Sequence, residues 1–139
     1  MPEHPNETII RRAFAAFERG DVQTILKYCD PEAEFNCPGP STIPYAGVMR
    51  GHAEIQNYFA ILSETQTNQK LEIDQYVTHG GTMIAIGSYS AAINVTGKSF
   101  KSPCILVFHL QESKIVSALI LGDTAAIAAS YTATVAAAS

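Results

Sequence analysis

No cluster of basic residues occurs anywhere in the chain. Its 9 Lys and Arg against 13 Asp and Glu leave a formal net charge of -4. Arg11 and Arg12, and the pair Lys98 and Lys101, are too sparse to neutralise a phosphate backbone or an anionic membrane surface. No Cys-x-x-Cys spacing is present either: Cys29, Cys37 and Cys104 are odd in number and read as reduced thiols of a cytoplasmic protein. The four histidines, His4, His52, His79 and His109, have no ligand spacing among themselves or with carboxylates, so no metal is expected. The start, MPEHPNET, is polar and is neither a signal peptide nor a membrane segment. The alanine-rich end is too weakly apolar to span a bilayer and reads as a closing helix with a frayed tail. Charged residues are only 16% and hydrophobic ones 47%. Such a composition favours a large buried volume over disorder, and 139 residues without repeat or linker suit a single domain over 1–139.

What is present is clear periodicity. In residues 7–19 Ile9, Ile10, Ala13, Phe14 and Phe17 share one helical face, and Arg11, Arg12, Glu18 and Arg19 the other. Gly20 stops that helix and Asp21 can cap the next, a short one burying Val22, Ile25, Leu26 and Cys29, with Asp30 and Pro31 as its end. AEFNCP reads as a brief strand. Residues 38–51 then carry prolines and glycines and read as a long loop, a candidate lid. A third helix runs from His52 to about Glu64, with Ile55, Tyr58, Phe59 and Leu62 at helical spacing. After Thr67 the period becomes two, and LEIDQYVT, TMIAIGSYSAAINV, SFKSPCILVFHL and IVSALILG read as four successive antiparallel strands joined by Gly-rich or polar turns. The class is α+β.

The last two strands are apolar on both faces. Ile105 and Val107 oppose Cys104, Leu106 and Phe108; Leu119 and Leu121 oppose Val116, Ala118 and Ile120. One face must meet the helices and the other a partner, most economically a second copy in a homodimer. Recruitment of a different protein by that face is the alternative.

The order of elements, with the GD between the first helices, the RG-H-x-x-I start of helix three and the K-I-V…D-T-A-A ending, resembles the nuclear transport factor 2-like superfamily. The nearer resemblance is to its SnoaL-like branch, which includes polyketide cyclases. It implies a cone of curved antiparallel sheet closed by three N-terminal helices around an apolar cavity. The same fold hosts enzymes and plain binding modules. Set against ketosteroid isomerase, also of this fold, the positions of the oxyanion-donating tyrosine, the base and the second donor correspond to Phe14, Cys37 and Ile105, so that proton shuttle is absent. The branch's strand histidine corresponds to Leu106, and the stretch before its terminal acid, commonly polar, is Leu119, Ile120 and Leu121. The acid itself, Asp123, is retained, and in cyclases of the branch it is the general acid/base.

Two readings of Asp123 follow. Preceding TAAIAAS, it can cap the last helix by accepting from Ala125 or Ala126 N–H. Facing the cavity, it can transfer protons in a cofactor-free isomerase, cyclase or lyase, assisted by His109, Tyr45 or Tyr58. Phe14, Phe17, Cys37, Tyr45, Tyr58, Phe59 and Ile105 are the expected walls for a small apolar molecule. Cys37 has no base beside it and reads as a small buried hydrophobe.

Overall fold

The computed structural model describes residues 4–132. The expected frayed tail lies outside the described residues. Helix α1 spans Pro5–Glu18. His4 is its N-cap: the ring accepts from Asn6 N at 3.1 Å. Pro5 occupies the first turn, where a missing N–H leaves nothing unbonded. After Gly20, at φ 70, Asp21 caps α2 (Val22–Lys27), accepting from Thr24 N at 3.2 Å and Thr24 Oγ1 at 2.6 Å.

Helix α2 is shorter than its apolar spacing suggests. Cys29, Asp30 and Pro31 already belong to strand β1 (Cys29–Cys37). The switch comes at Tyr28, whose carbonyl accepts from Ile115 N at 2.8 Å and starts strand pairing. Pro31 is tolerated because it falls in the irregular stretch between the paired residues Cys29 and Glu34, where no ladder N–H is required. The Pro/Gly segment also holds a strand, β2 (Gly47–Arg50), antiparallel to β1 and joined to it by an Arg50–Glu34 ion pair at 2.8 Å.

Helix α3 (Gly51–Thr65) buries Ile55, Tyr58 and Leu62. Strands β3 (Gln66–His79), β4 (Thr82–Ile93), β5 (Ser99–Gln111) and β6 (Lys114–Gly122) follow as an antiparallel meander, and α4 (Thr124–Tyr131) closes the described chain. The six strands lie in the order β2-β1-β6-β5-β4-β3. The sheet is not wholly antiparallel, because β1 meets the edge of the meander alongside β6 in parallel. Two irregularities in the β3–β4 ladder, between Thr67 and Lys70 and between Ile73 and Gln75, bend the curved sheet. No helix among the described residues is long and apolar enough to cross a membrane.

The two-sided apolar strands resolve into two faces. On β5 Ser102, Cys104, Leu106, Phe108 and Leu110 are buried, whereas Ile105 is 41% exposed. Ile105 pairs with Ile86 and Leu121, and Val107 with Ile84 and Leu119. These residues form an apolar outer face turned away from the helices.

Candidate functional site

Helices α1 and α3, the inner face of the sheet and α4 line a partly open cavity of about 130 Å³. Spacing of 3–4 residues on α1 points Ala13, Phe14 and Phe17 into it, and the same spacing on α3 supplies Tyr58, Phe59 and Leu62. Alternation on β5 supplies Ser102, Cys104, Leu106 and Phe108. The wall is largely aromatic: Tyr58 meets Phe59 at 5.0 Å and Tyr45 at 5.8 Å between ring centroids, and Phe14 meets Phe108 at 5.9 Å. The segment expected to be a lid is built into the wall instead. Its Ile43 and Tyr45 are buried, and backbone bonds Ile43 N to Pro40 O and Ala46 N to Ile43 O fold it tightly.

Of the expected wall residues, Phe14, Phe17, Cys37, Tyr45, Tyr58 and Phe59 border the cavity. Ile105 does not. It points to the outer face, and its strand neighbours Cys104 and Leu106 point inward. His109 shares the outer face with Ile105: it is exposed, with Nδ1 3.1 Å from Thr82 Oγ1. His52 is half-buried and bonds Cys29 O through Nε2 at 3.1 Å.

Asp123 is exposed, and its Oδ1 accepts from Ala126 N at 3.1 Å, the cap geometry. Its backbone N–H donates to Ser102 Oγ at 2.7 Å, tying the start of α4 to β5. Its neighbours Gly122 and Thr124 border the cavity, but Asp123 itself does not.

Among the described residues no carboxylate, ammonium, guanidinium or imidazole lines this cavity. Its titratable groups are thiols and phenols, and burial holds them neutral. Burial pushes Cys37 and Cys104 up to about 11, and away from the cavity Cys29 to about 12. Tyr45, Tyr58 and Tyr89 are likewise held above the ordinary phenol value, first by burial and then, for Tyr45 and Tyr58, by Cys37. All three cysteines are free and buried. Among the described residues no three metal-ligating side chains come together.

Sequence reasoning missed the polar knot at one end of the cavity. Gln66 is 2% exposed. Its Oε1 accepts from the Tyr89 hydroxyl and from Gln69 Nε2, and its Nε2 donates to the Tyr131 hydroxyl at 2.9 Å. Tyr89 was findable, since it shares the inward period-two register of Ala85 and Ala91 on β4. Gln66 carried no such signal, because QTNQ reads as a polar connection.

A curved sheet wrapped by helices around such a cavity is the fold of the nuclear transport factor 2-like proteins. One from Burkholderia pseudomallei K96243, of unknown function, matches with a TM-score of 0.88 at 21% identity, over 94% of this chain and 100% of that one. Another, from Burkholderia xenovorans LB400, matches with a TM-score of 0.85 at 26% identity, over 95% and 99%. TerC, co-crystallised with polyporic acid, matches with a TM-score of 0.83 at 19% identity, over 92% and 98%. The family model of the SnoaL-like domain matches residues 10–118, and the chain belongs to that family. No curated protein matches it.

Proposed function

We propose that this protein binds a small, mostly apolar metabolite in the cavity without transforming it, and that Asp123 serves as the cap of α4. The observation that carries this reading is the cavity wall itself, which among the described residues offers aromatic and aliphatic surface, neutral thiols and phenols, and no carboxylate, imidazole or amine. The co-crystallisation of the similarly folded TerC with polyporic acid supports a ligand in this fold. Toluene is the simplest probe. Titration calorimetry should saturate at one toluene per chain, and the thermal midpoint should rise with toluene concentration. No heat and no shift at saturating toluene would reject the reading.

A second reading is favoured by one observation: Gly122 and Thr124 both border the cavity on either side of Asp123. In it, Asp123 is the general acid/base of a cofactor-free isomerase, cyclase or lyase. Asp123→Asn distinguishes the two, because asparagine caps a helix as well as aspartate does and carries no titratable proton. Loss of turnover of the bound compound at unchanged thermal midpoint supports the enzyme. Unchanged turnover removes Asp123 from the chemistry.

We also propose that the outer sheet face joins two copies of the chain. Ile105, Leu121, Val77 and Val48 are each more than a third exposed there, and a self-complementary apolar face closes as a twofold dimer. Sedimentation equilibrium should give a dimer that Ile105→Lys dissociates. A wild-type monomer at micromolar concentration would contradict it.

A further inference from the structure

Two phenols on the cavity wall stand without a hydrogen-bond partner. Tyr45 comes from the tightly folded Pro/Gly segment and Tyr58 from the inner face of α3; they are 7% and 6% exposed, and both line the cavity. Their rings meet edge-on, with centroids 5.8 Å apart. Neither hydroxyl is hydrogen-bonded to a described residue, yet among the described residues no side-chain oxygen or nitrogen sealed from open space lacks a partner. Both hydroxyl oxygens therefore touch open space, and for side chains this buried that space is the cavity they line. Burial keeps both phenols protonated, so each has a proton to donate. The other hydroxyls of the wall are engaged or wet. Ser102 Oγ donates to Pro103 O at 2.6 Å and accepts from Asp123 N, and Tyr89 donates to Gln66 Oε1 while accepting from Gln69 Nε2 at 3.0 Å. Thr124 is half-buried beside the exposed Gly122, where water reaches it.

Resting on the apolar-ligand reading above, we propose that the cavity takes neutral cyclic ketones, whose carbonyl oxygen accepts from Tyr45 and Tyr58 together while the ring lies against the aromatic wall. A carbonyl oxygen has two lone pairs, so one oxygen can serve both donors. Against a hydrocarbon ligand the two phenols stay unpaired. Against a ketone each gains one neutral hydrogen bond, roughly fivefold in affinity apiece. Size limits the ligand to about one ring, since about 130 Å³ is close to the roughly 150 Å³ of an apolar protein cavity that takes up benzene. Neutrality follows from the wall, which among the described residues has no cation to receive a carboxylate.

The test is titration calorimetry of cyclohexanone and methylenecyclohexane on wild type, Tyr45→Phe, Tyr58→Phe and the double variant. Methylenecyclohexane keeps the shape of cyclohexanone and puts a CH₂ group where the oxygen stands. Each single variant keeps its ring and should bind cyclohexanone about fivefold more weakly, and the double variant about twenty-five-fold more weakly. Methylenecyclohexane affinity should be the same in all four proteins. The carbonyl stretch of cyclohexanone bound to wild type, read by infrared difference spectroscopy, should lie below its position in hexane. That readout serves even where a variant does not fold. Equal losses for the two ligands, a loss in only one of the single variants, or a carbonyl stretch at its hexane position overturns the paired-donor inference and leaves an apolar-ligand pocket standing. Failure of both ligands to bind wild type overturns the pocket reading together with this inference.

Discussion

Gly87→Ala is expected to destabilise the protein by about 3 kcal/mol or more, lowering the thermal midpoint by roughly 10 °C. A β-carbon at Gly87 would stand 1.8 Å from Glu72 O and 2.8 Å from Ile73 Cα, both in the backbone of β3. No rotamer relieves a clash with backbone, so β3 must move away from β4. It can do so only at the irregularity between Ile73 and Gln75, beside the residue that Gly87 pairs with. The same ladder sets Leu71 opposite Tyr89, and both line the cavity, so the variant should also lose ligand affinity. Gly97→Ala is the contrast. Its β-carbon meets nothing within 4 Å, and its cost is the left-handed backbone at φ 73 alone, about 1 kcal/mol. Chemical denaturation of the two variants checks the argument, and equal losses would refute it.

How much of this was legible in the sequence depends on whether one period could be read alone. Phe14, Phe17, Tyr58 and Phe59 were placed by helical spacing against a polar opposite face, and all four border the cavity. The β5 strand was read in the right place, but its apolar residues fall on both faces. Alternation then says which residues share a side, not which side is inside. The assignment of Ile105 to the cavity failed on that point, and His109 shares its outer register. Strand β2 has four residues, three exposed and one half-buried, so it has no period to detect. It exists because β1 offers it a free edge, which is a property of the tertiary fold. The parallel seam between β1 and β6 was invisible for the same reason: its partners are about eighty residues apart, as in Phe35 and Ala118. Asp123 carried two signals at once, a helix-starting acid and a position shared with a family's catalytic group. The folded chain places its carboxylate on Ala126 N.

Gln66 was the least legible residue and should be among the costliest to change. It sits where α3 gives way to β3, so its side chain turns inward just as the period shifts from helical to alternating. Its amide joins Tyr89 and Gln69 on the oxygen side to Tyr131 on the nitrogen side, and Thr65 Oγ1 shares the Tyr131 hydroxyl at 2.8 Å. The Tyr45 ring stacks edge-on to Tyr131 at 6.1 Å, which carries the knot's position to the cavity wall. Gln66→Leu conserves bulk and removes both ends of the amide. The half-buried hydroxyls of Tyr89 and Tyr131 then lose a partner in a place that water reaches poorly. The expected loss is about 3 kcal/mol, since each buried polar group left unpaired costs roughly 1–3 kcal/mol. Adding Tyr89→Phe to Gln66→Leu should recover part of that loss, because removing both partners of a buried hydrogen bond costs less than removing one. Urea denaturation of the single and double variants measures both terms. A Gln66→Leu protein within about 0.5 kcal/mol of wild type, the range of an ordinary surface change, would mean that the knot is ornament and that the tyrosines hold the cavity's polar end without it.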